Sequence, residues 1–143
     1  LPFTGGPNSR LLLNLAKSLA YSPDVRITVL HLTQVGLDEE GKEDANLYVE
    51  ELIEEVLGEI PQWMEIKVME TQSVSKEILT ECEKGQYDLL MIGAGSEAFS
   101  HRYLFGSLND VLIEKVSCSM LIVRRYQPEA TLWLRNRFRA IEI

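Results

Sequence analysis

The stretch Asp88–Arg124, DLLMIGAGSEAFSHRYLFGSLNDVLIEKVSCSMLIVR, decides the fold class. Leu89-Leu90-Met91-Ile92 is a short unbroken apolar run, the pattern of a parallel strand covered on both faces. Gly93 and Gly95 follow where the backbone must turn sharply. Ten residues further on, Gly106-Ser107 opens a helix with Leu108, Val111, Leu112 and Val116 on one face, and Met120–Val123 supplies the next buried strand. Strand, glycine-bearing loop, helix, strand is the layout of a phosphate site. Unpaired N–H groups in the loop and at the helix start, together with the helix dipole, can hold an anion.

Working outward, Leu1–Phe3 reads as the end of a strand and Thr4-Gly5-Gly6-Pro7-Asn8-Ser9 as a tight turn into a helix capped by Asn8 or Ser9. Leu11, Leu12, Leu15, Ala16, Leu19 and Ala20 form its stripe, which stops before Pro23. Val25–Leu32 is a β-branched strand, and an acidic loop follows it. Leu47, Leu52, Ile53, Val56 and Leu57 define a second helix, ending near Gly58 and Pro61, whose other face carries Glu50, Glu51, Glu54 and Glu55 and is most simply solvated. Ile66 and Val68 mark a third strand, and Val74–Lys84 a helix closed by Gly85. The alternation β-α-β-α-β-α-β-α-β implies an open parallel sheet with helices on both faces, and a ligand at the carboxyl ends of the strands where their order switches.

The chain's 143 residues suit one domain, able to bury about 68–70% of its unfolded surface. Residues 1–126 hold this α/β unit, and residues 127–143 form a C-terminal extension. The net charge of −8, from 22 acidic and 14 basic side chains, opposes a general role on nucleic acid. The charge is uneven. Residues 124–143 hold five arginines against Glu129 and Glu142, while the preceding residues net −11 from nine basic and twenty acidic side chains. Cys82 and Cys118 lack CxxC spacing and paired histidines, which fits reduced thiols in a cytosolic setting rather than a metal site or a disulfide frame. No run approaches the ~20 apolar residues of a membrane helix and no leader is visible, so the expectation is a soluble, cytoplasmic chain. A start at Leu1-Pro2-Phe3, partway into a strand and without methionine, points to a missing N-terminal piece or to excision from a larger protein.

Gly93-x-x-Ser96-x9-Gly106-Ser107, preceded by Tyr87–Ile92 and followed by Cys118–Arg124, resembles the C-terminal signature of the universal stress protein family. Leu30-His31-Leu32 and Leu1-Pro2-Phe3-Thr4 resemble the family's second strand and the end of its first, so the resemblance runs along the whole chain. It implies a five-stranded parallel sheet of order 3-2-1-4-5, dimerisation and, in one branch, an ATP site with magnesium. By that resemblance the nucleotide-binding positions are Thr4, Gly5, Leu32, Gly93, Gly95, Ser96, Gly106, Ser107 and Leu108. Thr4 stands where ATP-binding members carry an aspartate, and Ser96 replaces the second glycine of the G-x2-G-x9-G-[S/T] loop. Thr4 keeps a hydroxyl but no charge. Glu97 adds repulsion toward a polyphosphate, which His101 and Arg102 offset.

Plainer readings stand beside these. Ser107 with Asp110 is a helix-capping pattern, the glycines serve turns, and His31 between Leu30 and Leu32 is a packed structural histidine. No catalytic constellation is visible, so the chain is not read as an enzyme beyond slow ATP hydrolysis. An enzyme alternative does exist: Thr4–Ser9 resembles, with Thr and Asn for Ser and Asp, the S-G-G-x-D-S loop of PP-loop ATP pyrophosphatases. The other alternative is an assembly module without ligand, in which Met120–Val123 is the edge of a homodimer. The Pro-Phe-Thr-Gly-Gly start resembles stress-protein domains fused to membrane transporters and channels. Thr131–Arg139 mixes Trp133, Leu134 and Phe138 with arginines, and fits docking on the acidic domain, an anionic membrane surface or a transporter.

Overall fold

The computed structural model describes residues 1–94 and 107–126. Its elements alternate as expected: β1 (Pro2–Phe3), α1 (Pro7–Leu19), β2 (Ile27–Gln34), α2 (Glu39–Leu57), β3 (Met64–Thr71), α3 (Val74–Gly85), β4 (Leu89–Gly93), α4 (Ser107–Lys115) and β5 (Ser119–Val123). All paired strands run parallel. Alternation of side chains along each strand sends neighbours to opposite faces. Val29 thus packs with Phe3, Leu13, Val49 and Ile53, and Leu30 with Ile78, Leu90, Ile92 and Leu112. In β4, Met91 turns to Leu12 and Val123. Helices α1 and α2 therefore cover one face, and α3 and α4 the other. Each large side chain removed from water contributes about 1.5–3 kcal/mol.

The expected single sheet of order 3-2-1-4-5 is corrected in one respect. The strands form a three-stranded sheet, β1-β2-β3, and a two-stranded sheet, β4-β5. β1 lies against β4, but no ladder joins them. The two residues of β1 pair with Leu30 and His31 of β2, and a cavity of about 430 Å³ lies between β2 and β4. Ile27 and Thr28 of β2 line it on one side, and Leu89 and Met91 of β4 on the other.

Several element bounds also differ from the sequence reading. Helix α1 starts earlier, with Gly6 as N-cap and Pro7 opening the helix, so Asn8 and Ser9 lie inside the first turn and do not cap it. Its fully buried residues include Leu13, while Leu19 is exposed. Helix α2 begins within the acidic stretch that reads as a loop, because Asp38 accepts a hydrogen bond from Gly41 N at 2.9 Å and Glu39 and Glu40 suit the positive end of the dipole. It ends on Gly58 at φ 90°, and Leu47 points to solvent rather than to the core. Gly85 belongs to α3, and Gln86, at φ 49°, carries the left-handed turn instead. The tail at 127–143 lies outside the described residues. No helix among the described residues is long and apolar enough to cross a membrane.

Candidate functional site

The β1–α1 loop begins where β1 ends, at Thr4. Gly5 holds φ +76°, a conformation that costs glycine little and other residues more. The hydroxyl of Tyr48, from α2, occupies the space that a Cβ at Gly5 would need. Thr4 is exposed. Its N–H donates to the buried Ser9 hydroxyl at 3.3 Å, and the two hydroxyl oxygens lie 3.5 Å apart. A short polar side chain one turn into α1 thus holds the loop back against its own strand.

Asn8 makes the longer connection. Its Nδ2 donates to the Ala94 carbonyl at 2.5 Å, just past the end of β4, and its Oδ1 accepts from the Arg125 N–H at 2.9 Å, just past β5. A single amide side chain therefore ties the first turn of α1 to the carboxyl ends of two distant strands. Gly93 is the residue this approach requires, since a Cβ there would stand 2.7 Å from the Asn8 Cβ. Its role is close packing, because it is not among the glycines with positive φ.

Around this joint, His31 Nδ1 lies 2.9 Å from the Phe3 carbonyl oxygen, and its ring meets that of Tyr48 at a centroid distance of 5.9 Å and a tilt of 51°. The histidine is a packed residue tying β2 to the end of β1, in line with its structural reading. Leu32, one residue on, is half-buried and packs on the α3 side. The first turn of α1 carries no acidic residue, unlike those of α2, α3 and α4, so the positive end of its dipole is uncompensated by its own side chains. Arg10, one residue past Ser9, is engaged by both carboxylate oxygens of Glu55 at 2.6 and 2.8 Å. The Glu55 hydrogen bond raises the Arg10 pKa, and Arg10 in turn holds the Glu55 carboxyl below its usual range.

Of the sequence-assigned residues, Thr4, Gly5 and Gly93 converge at the strand ends that Asn8 joins, and Leu32 lies on the strand beside β1. Ser107 is the first residue of α4, and Leu108 follows it, exposed. Gly95, Ser96 and Gly106 lie outside the described residues, as do His101 and Arg102. Sequence reasoning missed Asn8 as a link between strands and Tyr48 as the cover of Gly5. A polar residue directly after Gly-Gly-Pro was the available signal for the first, whereas nothing local marks a tyrosine some forty residues away.

Among the described residues no group of three or more His, Cys, Asp or Glu side chains could hold a metal ion. The exposed Thr4 hydroxyl fits a ribose, whereas the Ser9 hydroxyl is buried under the Thr4 N–H and the Ser9 and Arg10 N–H groups donate to the Gly6 carbonyl. These groups do not form a ligand set for magnesium, whose protein ligands are usually carboxylates.

Parallel strands wound in both directions, with Asn8 after β1 reaching Ala94 at the carboxyl end of β4, define a Rossmann-like α/β domain. The Universal stress protein family model matches residues 1–124. The chain belongs to that family. No curated protein matches it. The solved structures it resembles include the universal stress protein of Archaeoglobus fulgidus in complex with dAMP (14% identity, TM-score 0.59, covering 85% of this chain and 92% of that one). UspA from Lactobacillus plantarum (13%, 0.62, 86% and 94%) is similar too, as is an Arabidopsis thaliana universal stress protein family protein with AMP bound (16%, 0.57, 83% and 79%).

Proposed function

We propose that the chain is a regulatory domain that binds one adenine nucleotide at the carboxyl ends of β1 and β4 and dimerises through the β5 edge. The observation that carries this reading is the Asn8 joint, which fastens the first turn of α1, free of acidic residues, to the end of β4. Similar structures hold dAMP, AMP and, in a further case, cAMP. Thr4 offers its hydroxyl to the ribose and Leu32 its main chain to the base, and the phosphates are assigned to the signature residues Gly93, Gly95, Ser96, Gly106 and Ser107. With no carboxylate at Thr4, magnesium comes as part of the nucleotide or not at all, and monophosphates suit the site at least as well as ATP. No catalytic step is assigned. The setting we propose is cytosolic, as the regulatory part of a membrane transporter, a reading supported by the arginine-rich stretch at 124–143.

Calorimetric titration with AMP, ADP, ATP and cAMP, with and without magnesium, tests the site. The expected result is saturable binding at one site per chain, weakened by Gly106→Asp, which sets a carboxylate against the phosphates. A folded Gly106→Asp chain with unchanged affinity would remove the site proposed here. A second reading, assembly without ligand, draws on Tyr48 filling the space over Gly5 and on the exposed Leu121 of the edge strand β5. No heat with any nucleotide, from a chain that sediments as a dimer, would favour it.

A further inference from the structure

Cys82 lies on the buried face of α3 and is 6% exposed, while Cys118 directly precedes β5 and is half-buried. The two are distant in sequence, yet they share one apolar cluster with Ile78, Leu90 and Met120. Cys118 also acts electrostatically on the Cys82 thiol. Cys82 also lines the cavity between β2 and β4. Two thiols from different elements, in one cluster at the seam between a helix and a sheet, have the makings of a reversible crosslink.

We propose that Cys82 and Cys118 are a redox pair, which a hydroperoxide converts into an intrachain disulfide tying α3 to the start of β5. The more accessible Cys118 reacts first. Its thiolate attacks the terminal oxygen of the peroxide, the O–O bond breaks, and the other oxygen leaves as water or an alcohol with the proton, giving a sulfenic acid. The Cys82 sulfur then attacks the Cys118 sulfur. The S–O bond breaks, the hydroxyl leaves as water with the Cys82 proton, and the S–S bond forms. Each sulfur has lost one electron, and the peroxide has taken up both. This order follows from the environments of the two thiols: burial first, then the neighbouring Cys118, pushes the Cys82 thiol up to about 11, so at neutral pH it waits protonated. The crosslink closes a loop of some 35 residues, and it stabilises the fold chiefly by restricting the unfolded chain. The inference is independent of the nucleotide reading.

The test is to expose the full 143-residue chain to hydrogen peroxide under native conditions, block the remaining thiols, digest without reduction and identify the peptides by mass spectrometry. The expected result is a Cys82–Cys118 peptide pair from protein that migrates as a monomer on a non-reducing gel. Its melting temperature should be raised, and dithiothreitol should restore it. Cys82→Ala should strand Cys118 as a sulfenic acid trapped by dimedone, whereas Cys118→Ser should leave Cys82 unoxidised at the same dose. Disulfides between chains only would overturn the proposal. So would two blocked, unoxidised thiols in folded protein, or faster oxidation at Cys82 than at Cys118.

Discussion

Asn8 uses both ends of its amide on main-chain groups that sequence separates widely, and no other residue type supplies a donor and an acceptor in that geometry except the longer glutamine. Asn8→Ala leaves the Ala94 carbonyl and the Arg125 N–H without this partner. The expected cost is about 1–3 kcal/mol, read as a lower urea midpoint with unchanged slope. Asn8→Asp should fail in a more specific way, because it keeps an acceptor for Arg125 N–H but sets a carboxylate against the Ala94 carbonyl. A midpoint for Asn8→Asp equal to wild type would show that the Ala94 bond contributes nothing. Gly93 is coupled to the same contact, and any side chain there must displace Asn8.

At the scale of elements, α2 shows how local electrostatics override a first impression of the sequence. Asp, Glu and Gly in succession look like a loop, yet the same charges favour the amino end of a helix, and Asp38 closes it as N-cap. Asp38→Ala should cost about 1 kcal/mol, with the first turn of α2 losing hydrogen-exchange protection before the rest. Uniform loss along the helix would mean that packing of Val49, Leu52 and Ile53 holds the first turn as well. The exposed Arg10–Glu55 pair links α1 to α2, and in water it contributes little.

Across the whole molecule, Lys67 of β3, Glu81 of α3 and Tyr87 before β4 form a partly buried network. Lys67 Nζ donates to Glu81 Oε1 at 2.7 Å, and the Tyr87 hydroxyl donates to the same oxygen at 2.9 Å. It spans the two sheets, so its titration reports on their union. The hydrogen bond from Lys67, with a further one from Tyr87, holds the Glu81 carboxyl below its ordinary 4.5. A depressed carboxyl pKa contributes stability that is fully present above the unfolded value near 4.5 and is lost as pH falls through the lower folded value. Lys67 is shifted upward by the same contact, so its contribution is present below its unfolded value of 10.5 and is lost only above it. The network's own contribution, read as the difference in urea midpoint between wild type and Glu81→Gln, should therefore hold level through neutral pH and fall below about pH 4.5. In Glu81→Gln the acid slope should be shallower and the neutral plateau lower. An acid slope identical to wild type would mean that Glu81 is not coupled to folding.

Much of this architecture was legible in the chain. The runs at Leu89–Ile92 and Met120–Val123, and the apolar stripes between strands, follow from the 2.0 and 3.6 residue periods that burial imposes locally. The amino acids alone thus determined the β/α alternation, the parallel pairing within each group of strands, helices on both faces and the family signature around Gly93 and Gly106. Tertiary structure decided what depends on contacts distant in sequence. It set the division into a three-stranded and a two-stranded sheet, the bridging role of Asn8, the placing of Tyr48 over Gly5, and the gathering of Cys82 and Cys118 into one cluster. The physical reason is that periodicity records which side of an element is buried, whereas the partner that buries it is chosen only when the whole chain closes on itself.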